Sequence, residues 1–123
     1  MRTRGFTLIE LLVALAILAT LLAIAVPRYF QSMDKANEAV LRENLAVLRD
    51  SIDKFYSDTG KYPQTLAELT EKKYLRKIPQ DPMTSSATTW VIVPPERPEL
   101  GGVLDVRSGS PDLARDGSRF STW

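Results

Sequence analysis

From Phe6 to Val26 the chain runs 21 residues with one ionisable side chain, Glu10. As a helix rising about 1.5 Å per residue, that run is about 31 Å long, enough to cross the hydrocarbon core of a bilayer. Few soluble cores bury so long an unbroken apolar helix, so the run is expected to be inserted in a membrane. Glu10 stands four residues into it. A carboxylate at that depth costs about 3 kcal/mol or more unless something pairs with it. It is therefore either a functional group awaiting a partner or a side chain that snorkels to the headgroups.

Pro27 closes the run and is expected to kink the helix or melt it locally near residues 23–27, because it removes one backbone donor and crowds the preceding turn. Beyond it, Arg28 to Tyr56 reads as an amphipathic helix. Met33, Ala36, Val40, Leu41, Leu45, Leu48, Ile52 and Phe55 recur at threes and fours, a stripe expected to face a core. Charged residues fill the gaps, among them Glu38, Arg42, Arg49, Asp50 and Asp53. Gly60 is the expected left-handed cap. Thr65 to Lys73 should form a short helix, with Thr65 as N-cap and Glu68 completing a capping box; Leu66, Leu69, Tyr74 and Leu75 would face the core. Pro79 and Pro82 forbid a helix and favour an extended loop. Thr88 to Val93 and Val103 to Arg107 read as strands around a Gly101-Gly102 turn, with Leu104 and Val106 on one face. A tail rich in Ser, Gly and Asp follows, anchored by Trp123. The order implies an α+β chain: a long helix, a short one and a small antiparallel sheet.

Composition removes several functions. At 123 residues the chain holds one membrane helix and one domain of fewer than a hundred residues, a size that struggles to bury enough surface. There is no cysteine to staple it and no histidine to serve as the usual general base or zinc ligand. A Ser/Lys or carboxylate pair would have to carry any catalysis, and none is arranged for it, so the chain is not expected to be an enzyme. The formal net charge is +1, which gives no reason to expect a nucleic-acid partner. Arg2 and Arg4 precede the apolar run while Arg28 and Lys35 follow it, so positive charges do not decide its orientation.

The segment Arg4-Gly5-Phe6-Thr7-Leu8-Ile9-Glu10, followed by the apolar run, resembles the class III signal of type IV pilin-like proteins. The resemblance implies a leader, residues 1–5, cut after Gly5 by a prepilin peptidase, and N-methylation of the new terminal Phe6. It implies that Glu10 pairs with the terminal amine of a neighbouring subunit and that Pro27 is the family's helix-disrupting proline. An ordinary secretory signal loses its apolar region on cleavage; here the helix, residues 6–27, would stay. Removing residues 1–5 leaves 14 basic against 15 acidic side chains.

Downstream, Gly60-Lys61-Tyr62-Pro63, Ile78-Pro79, Asp81-Pro82 and Trp123 resemble the major pseudopilins of type II secretion. That likeness implies a type IV pilin-like fold with residues 28–123 as a periplasmic globular domain, and a single-pass anchor in a bacterial inner membrane. It implies a homopolymer, a periplasmic pseudopilus that drives secretion, working with minor pseudopilins, the prepilin peptidase and an inner-membrane assembly platform. The alternative is a pilin of a type IV pilus serving adhesion, motility or DNA uptake. Two departures stand out: Met83-Thr84-Ser85-Ser86-Ala87 replaces the family's usual continuation after Asp81-Pro82, and the C-terminal loop is shorter and less acidic. The family's loop binds calcium. The matching positions are Asp112 and Asp116, with Ser110 and Ser118 as minor ligands, although Asp-Gly and Pro-Asp are also plain turn formers.

Overall fold

A computed structural model of the protein describes residues 4–123; Met1–Thr3, part of the expected leader, lie outside the described residues. The chain divides into two compact units, one ending at Asp34 and the other Lys35–Trp123. Its elements are α1 (Leu8–Thr59), α2 (Leu66–Glu71), β1 (Val91–Val93) and β2 (Asp105–Arg107), with single 3-10 turns at Pro98–Leu100 and Phe120–Thr122. This is the expected α+β order, with a two-stranded antiparallel sheet.

The first unit is helix. Backbone helicity passes through Pro27 without interruption, so the melted stretch expected near residues 23–27 does not form. Proline removes one N–H from the ladder, and unbroken turns on both sides keep the rest of the ladder closed. The hydroxyl of Thr20, the one polar group deep in the apolar run, donates to the Ala16 carbonyl at 2.8 Å. The run therefore presents no unpaired side-chain polar group at that depth.

In the second unit the core forms where the stripe of α1 predicts. Leu41, Leu45, Leu48, Ile52 and Phe55 are buried, each side chain worth about 1.5–3 kcal/mol on removal from water. Val40 is 47 % exposed and Ala36 is also exposed, so the buried stripe is narrower than the apolar pattern. Ser51 sits inside it, its hydroxyl donating to Val47 O at 2.9 Å. Leu66 and Leu69 of α2, then Trp90, Val103, Val106 and Phe120, close the core, with Tyr74 and Leu75 packed at its edge.

Turn chemistry sets the connections. Gly60 takes φ +73° and its N–H donates to Tyr56 O at 2.8 Å, ending α1 three residues later than expected. Thr65 caps α2 through Glu68 N–H at 3.3 Å, but the Glu68 carboxylate accepts from Gln64 N–H at 2.7 Å rather than from Thr65. The helix ends at Glu71, short of Lys73, because Lys73 turns left-handed at φ +65°. Tyr74 N–H then reaches Leu69 O and Lys73 N–H reaches Thr70 O, the paired bonds of a Schellman ending. Gly101 and Gly102 lie so close to the Tyr62 and Gln64 carbonyls that any Cβ would collide. That approach lets Tyr62 N–H reach Leu100 O, and lets Gly102 and Val103 donate to Pro63 O. The same contact takes Val103 out of the strand and into the core. Val103 is 1 % exposed and Leu104 39 %, so Leu104 does not share the buried face of Val106 as its spacing suggested.

Candidate functional site

Two stretches carry the candidate residues, one in each unit. In the first, residues 4–7 have no regular structure and α1 begins at Leu8. Phe6 is 90 % exposed and Gly5 has open space where a Cβ would point. The Gly5–Phe6 peptide bond is thus uncovered and non-helical, the form a peptidase can take into an extended site. Directly after it, Thr7 and Glu10 cap the helix reciprocally. Thr7 N–H donates to Glu10 Oε2 at 2.9 Å, and Glu10 N–H donates to Thr7 Oγ1 at 3.2 Å. This is a capping box with the acid at the third helical position, a geometry the sequence reading missed although Thr-x-x-Glu is its signature.

The box bears on the cost of Glu10. One carboxylate oxygen is committed to the start of its own helix, where the helix dipole favours negative charge. The carboxylate also borders a shallow apolar groove with Ile9, Val13, Ala14 and Ile17, and a second groove follows at Val13, Ala16, Ile17, Thr20 and Leu21. Large side chains from Leu8 to Val26 are 46–76 % exposed. Among the described residues, α1 is the one helix long and apolar enough to cross a membrane. Pro27 lies within α1 as an uninterrupted position.

The second stretch is the C-terminal loop. Ser110 is buried at 2 % exposure, and its Oγ accepts from Asp112 N–H at 3.2 Å. Asp112 and Asp116 are exposed. Asp116 Oδ1 accepts twice from Ser118, from Oγ at 2.6 Å and from N–H at 2.9 Å. The Ser118 hydroxyl and N–H, with the charge of Arg42 adding to them, hold the Asp116 carboxyl below its ordinary 3.8. No group of three acidic side chains gathers anywhere among the described residues. The four expected ligands are thus two carboxylates and two hydroxyls, most of them already in turn bonds.

Charged residues of α1 that the sequence placed between the apolar positions prove to be bonded to this loop. Glu38 Oε1 accepts from Arg115 N–H at 2.8 Å, and Arg115 Nε donates to Glu38 Oε2 at 3.1 Å. The Arg115 backbone N–H lowers the Glu38 carboxyl below its ordinary 4.5; burial pushes the other way, and the Arg115 guanidinium adds to the lowering. Arg42 lies 3.9 Å over the Trp123 ring. Arg49 donates to Asp105 Oδ1 at 2.8 Å, to Val106 O at 3.0 Å and to Trp123 O at 2.7 Å. Asp50 and Asp53 face solvent as expected. The sequence also gave no sign that Asp81 would be wholly buried, accepting from Ser108 Oγ at 2.6 Å, Met83 N–H at 2.9 Å and Gly109 N–H at 3.3 Å.

Comparison with known proteins matches residues 1–26 to the prokaryotic N-terminal methylation motif. The type II secretion system core protein G of Dickeya chrysanthemi is 31 % identical, over 90 % of this chain and 79 % of the relative. The core protein G of Klebsiella pneumoniae is 29 % identical over 90 % of this chain and 86 % of its own length. A type IV narrow pilus major component of Thermus thermophilus is 45 % identical, but over 42 % of this chain and 44 % of the relative. No solved structure gives a significant match.

Proposed function

The chain belongs to the type II secretion system core protein G family, and we propose that it is made with a leader, residues 1–5, which a prepilin peptidase removes between Gly5 and Phe6. It is a structural subunit, a pseudopilin that polymerises through its N-terminal helix, and that helix is its inner-membrane anchor. The pilus reading ranks second because the pilin relatives match a smaller share of the chain. Under this proposal Phe6 is N-methylated, residues 28–123 lie in the periplasm, and minor pseudopilins and an inner-membrane platform act with it.

One observation supports the proposal most directly: an uncovered Gly5–Phe6 bond followed at once by a capped, wholly unpacked apolar helix. Helix faces that store in lipid can rebury against copies of themselves. Under this proposal the second oxygen of Glu10 accepts a neighbour's Phe6 ammonium, an attraction several-fold stronger at an effective dielectric of about 20 than in water. Mass spectrometry of the protein from its native membrane tests the processing. A mass lacking residues 1–5 and carrying one added methyl group is expected; an intact chain overturns the proposal. Glu10→Leu should insert in the membrane yet fail to appear in sheared filaments.

For calcium, we propose Asp112 and Asp116 as the carboxylates of a weak surface site, with a dissociation constant in the range of about 10⁻⁴–10⁻³ M known for extracellular modules. Isothermal titration of the full chain in detergent tests it, and no heat at millimolar calcium ends it.

A further inference from the structure

The loop that would receive calcium is already closed by side chains of α1. Glu38, Arg42 and Arg49 are spaced by four and seven residues, which puts them on one face of the helix. Each reaches a different part of the C-terminal segment: Glu38 the Arg115 backbone and guanidinium, Arg42 the Trp123 indole, Arg49 the Trp123 carbonyl. Phe120 and Trp123 then pack edge to face at 5.0 Å, and the indole N–H donates to Ser118 Oγ at 2.8 Å. Arg49 also donates to the strand β2, at Asp105 and Val106, so one guanidinium joins helix, sheet and tail.

A calcium cradle has to aim six to eight oxygens at one point, and this segment spends its oxygens on itself. Asp112 O accepts from Phe120 N–H, Ala114 O from Gly117 N–H, and Ser118 O from Ala114 N–H. Asp116 Oδ1 takes both Ser118 donors. Ser110 is buried. Arg42, a fixed cation, stands near Asp116 and opposes a second cation there.

We propose that in this chain the Glu38, Arg42 and Arg49 side chains do the work a bound metal would do for the loop. Residues 114–123 then keep their native conformation without calcium. The proposal is compatible with weak binding at Asp112 and Asp116, which would add an ion to a loop already shut.

Hydrogen exchange of the full chain in detergent, followed by mass spectrometry, is the test. Wild-type exchange in residues 114–123 is expected to agree within about twofold between calcium and EDTA, because the opening free energy does not include the metal. Arg49→Gln should speed exchange in that segment about tenfold or more in both media. Peptides over residues 66–75 should stay near wild type in that variant. If they accelerate too, the whole domain has loosened, and Arg42→Gln, at a more exposed position, together with Glu38→Gln, decides instead. Faster exchange at 114–123 in either of those two variants supports the clamp. Acceleration of the wild-type segment by EDTA overturns the proposal, as does wild-type exchange in all three variants. None of these outcomes bears on leader processing or filament assembly, which rest on residues 4–26.

Discussion

Asp81 shows how much one side chain can hold. It is fully buried, and its two oxygens join the loop after α2 to the Ser108–Gly109 turn through a hydroxyl and two backbone N–H groups. Asp81→Ala leaves those donors without a partner and should destabilise the chain by about 3 kcal/mol in urea unfolding, the cost of leaving buried hydrogen-bond donors unsatisfied. Lys73 offers the opposite opportunity. It holds a left-handed φ of +65° to close α2, and Lys73→Gly should raise stability by about 0.5–1 kcal/mol, since glycine adopts that conformation without a Cβ clash. Two titrations bracket the pH range. Glu38 and Asp116 have depressed values in the folded chain. Their contribution is complete above the ordinary carboxylate range and is lost as pH falls below about 4. Tyr74 is raised above its ordinary 10.0 by the hydrogen bond it donates to Asp58 at 2.6 Å. Its contribution is complete below pH 10 and is lost as pH rises through the folded value. Protection factors, with the intrinsic pH dependence of amide exchange divided out, should therefore fall at residues 114–123 in acid, and at α2 and Tyr74 in strong base.

Among the elements, what the sequence disclosed depended on whether the cause was local. The apolar run, the α1 stripe, the Gly60 cap and the Thr65 N-cap are periodicity and turn chemistry, and all four appear. The strands came out shorter than their β-branched content suggested, since Val103 is pulled off register by the close approach of Gly101 and Gly102 to the Tyr62–Gln64 backbone. No local pattern encodes that approach. Gly101→Ala should cost about 2–4 kcal/mol in thermal unfolding, because φ of +130° and a carbonyl in the way both refuse a methyl group. The partners of Glu38, Arg42 and Arg49 were hidden for a related reason. A charge between apolar positions reads as solvated until the chain returns, 56 residues later for Arg49, 77 for Glu38 and 81 for Arg42, to meet it. The Thr7–Glu10 box, by contrast, was legible three residues apart and was overlooked beside the stronger reading of Glu10 as an intersubunit partner.

The whole molecule carries no disulfide staple. With no cysteine, no histidine and no cluster of three acidic ligands among the described residues, its second unit depends on one core and a few charged crossings. A domain of this size has about 5 kcal/mol or little more in reserve, so a loss like that expected for Asp81→Ala should halve the urea midpoint rather than trim it. The absence of histidine also means that no side chain with an ordinary pKa titrates between pH 5 and 8. Unfolding midpoints measured at pH 5.5 and pH 8 should then coincide.

Trp90 and Trp123 are the only two indoles in the chain, and they occupy different surroundings. Trp90 is buried, its N–H given to Pro79 O at 2.8 Å, while Trp123 is half-buried beneath a guanidinium. The protein thus contains its own pair of fluorophores, one embedded in the core and one at the tail. Quenching by a small solute such as acrylamide should reach Trp123 first. With Trp90→Phe, the indole emission that remains in the purified protein would report the fastening of the tail alone.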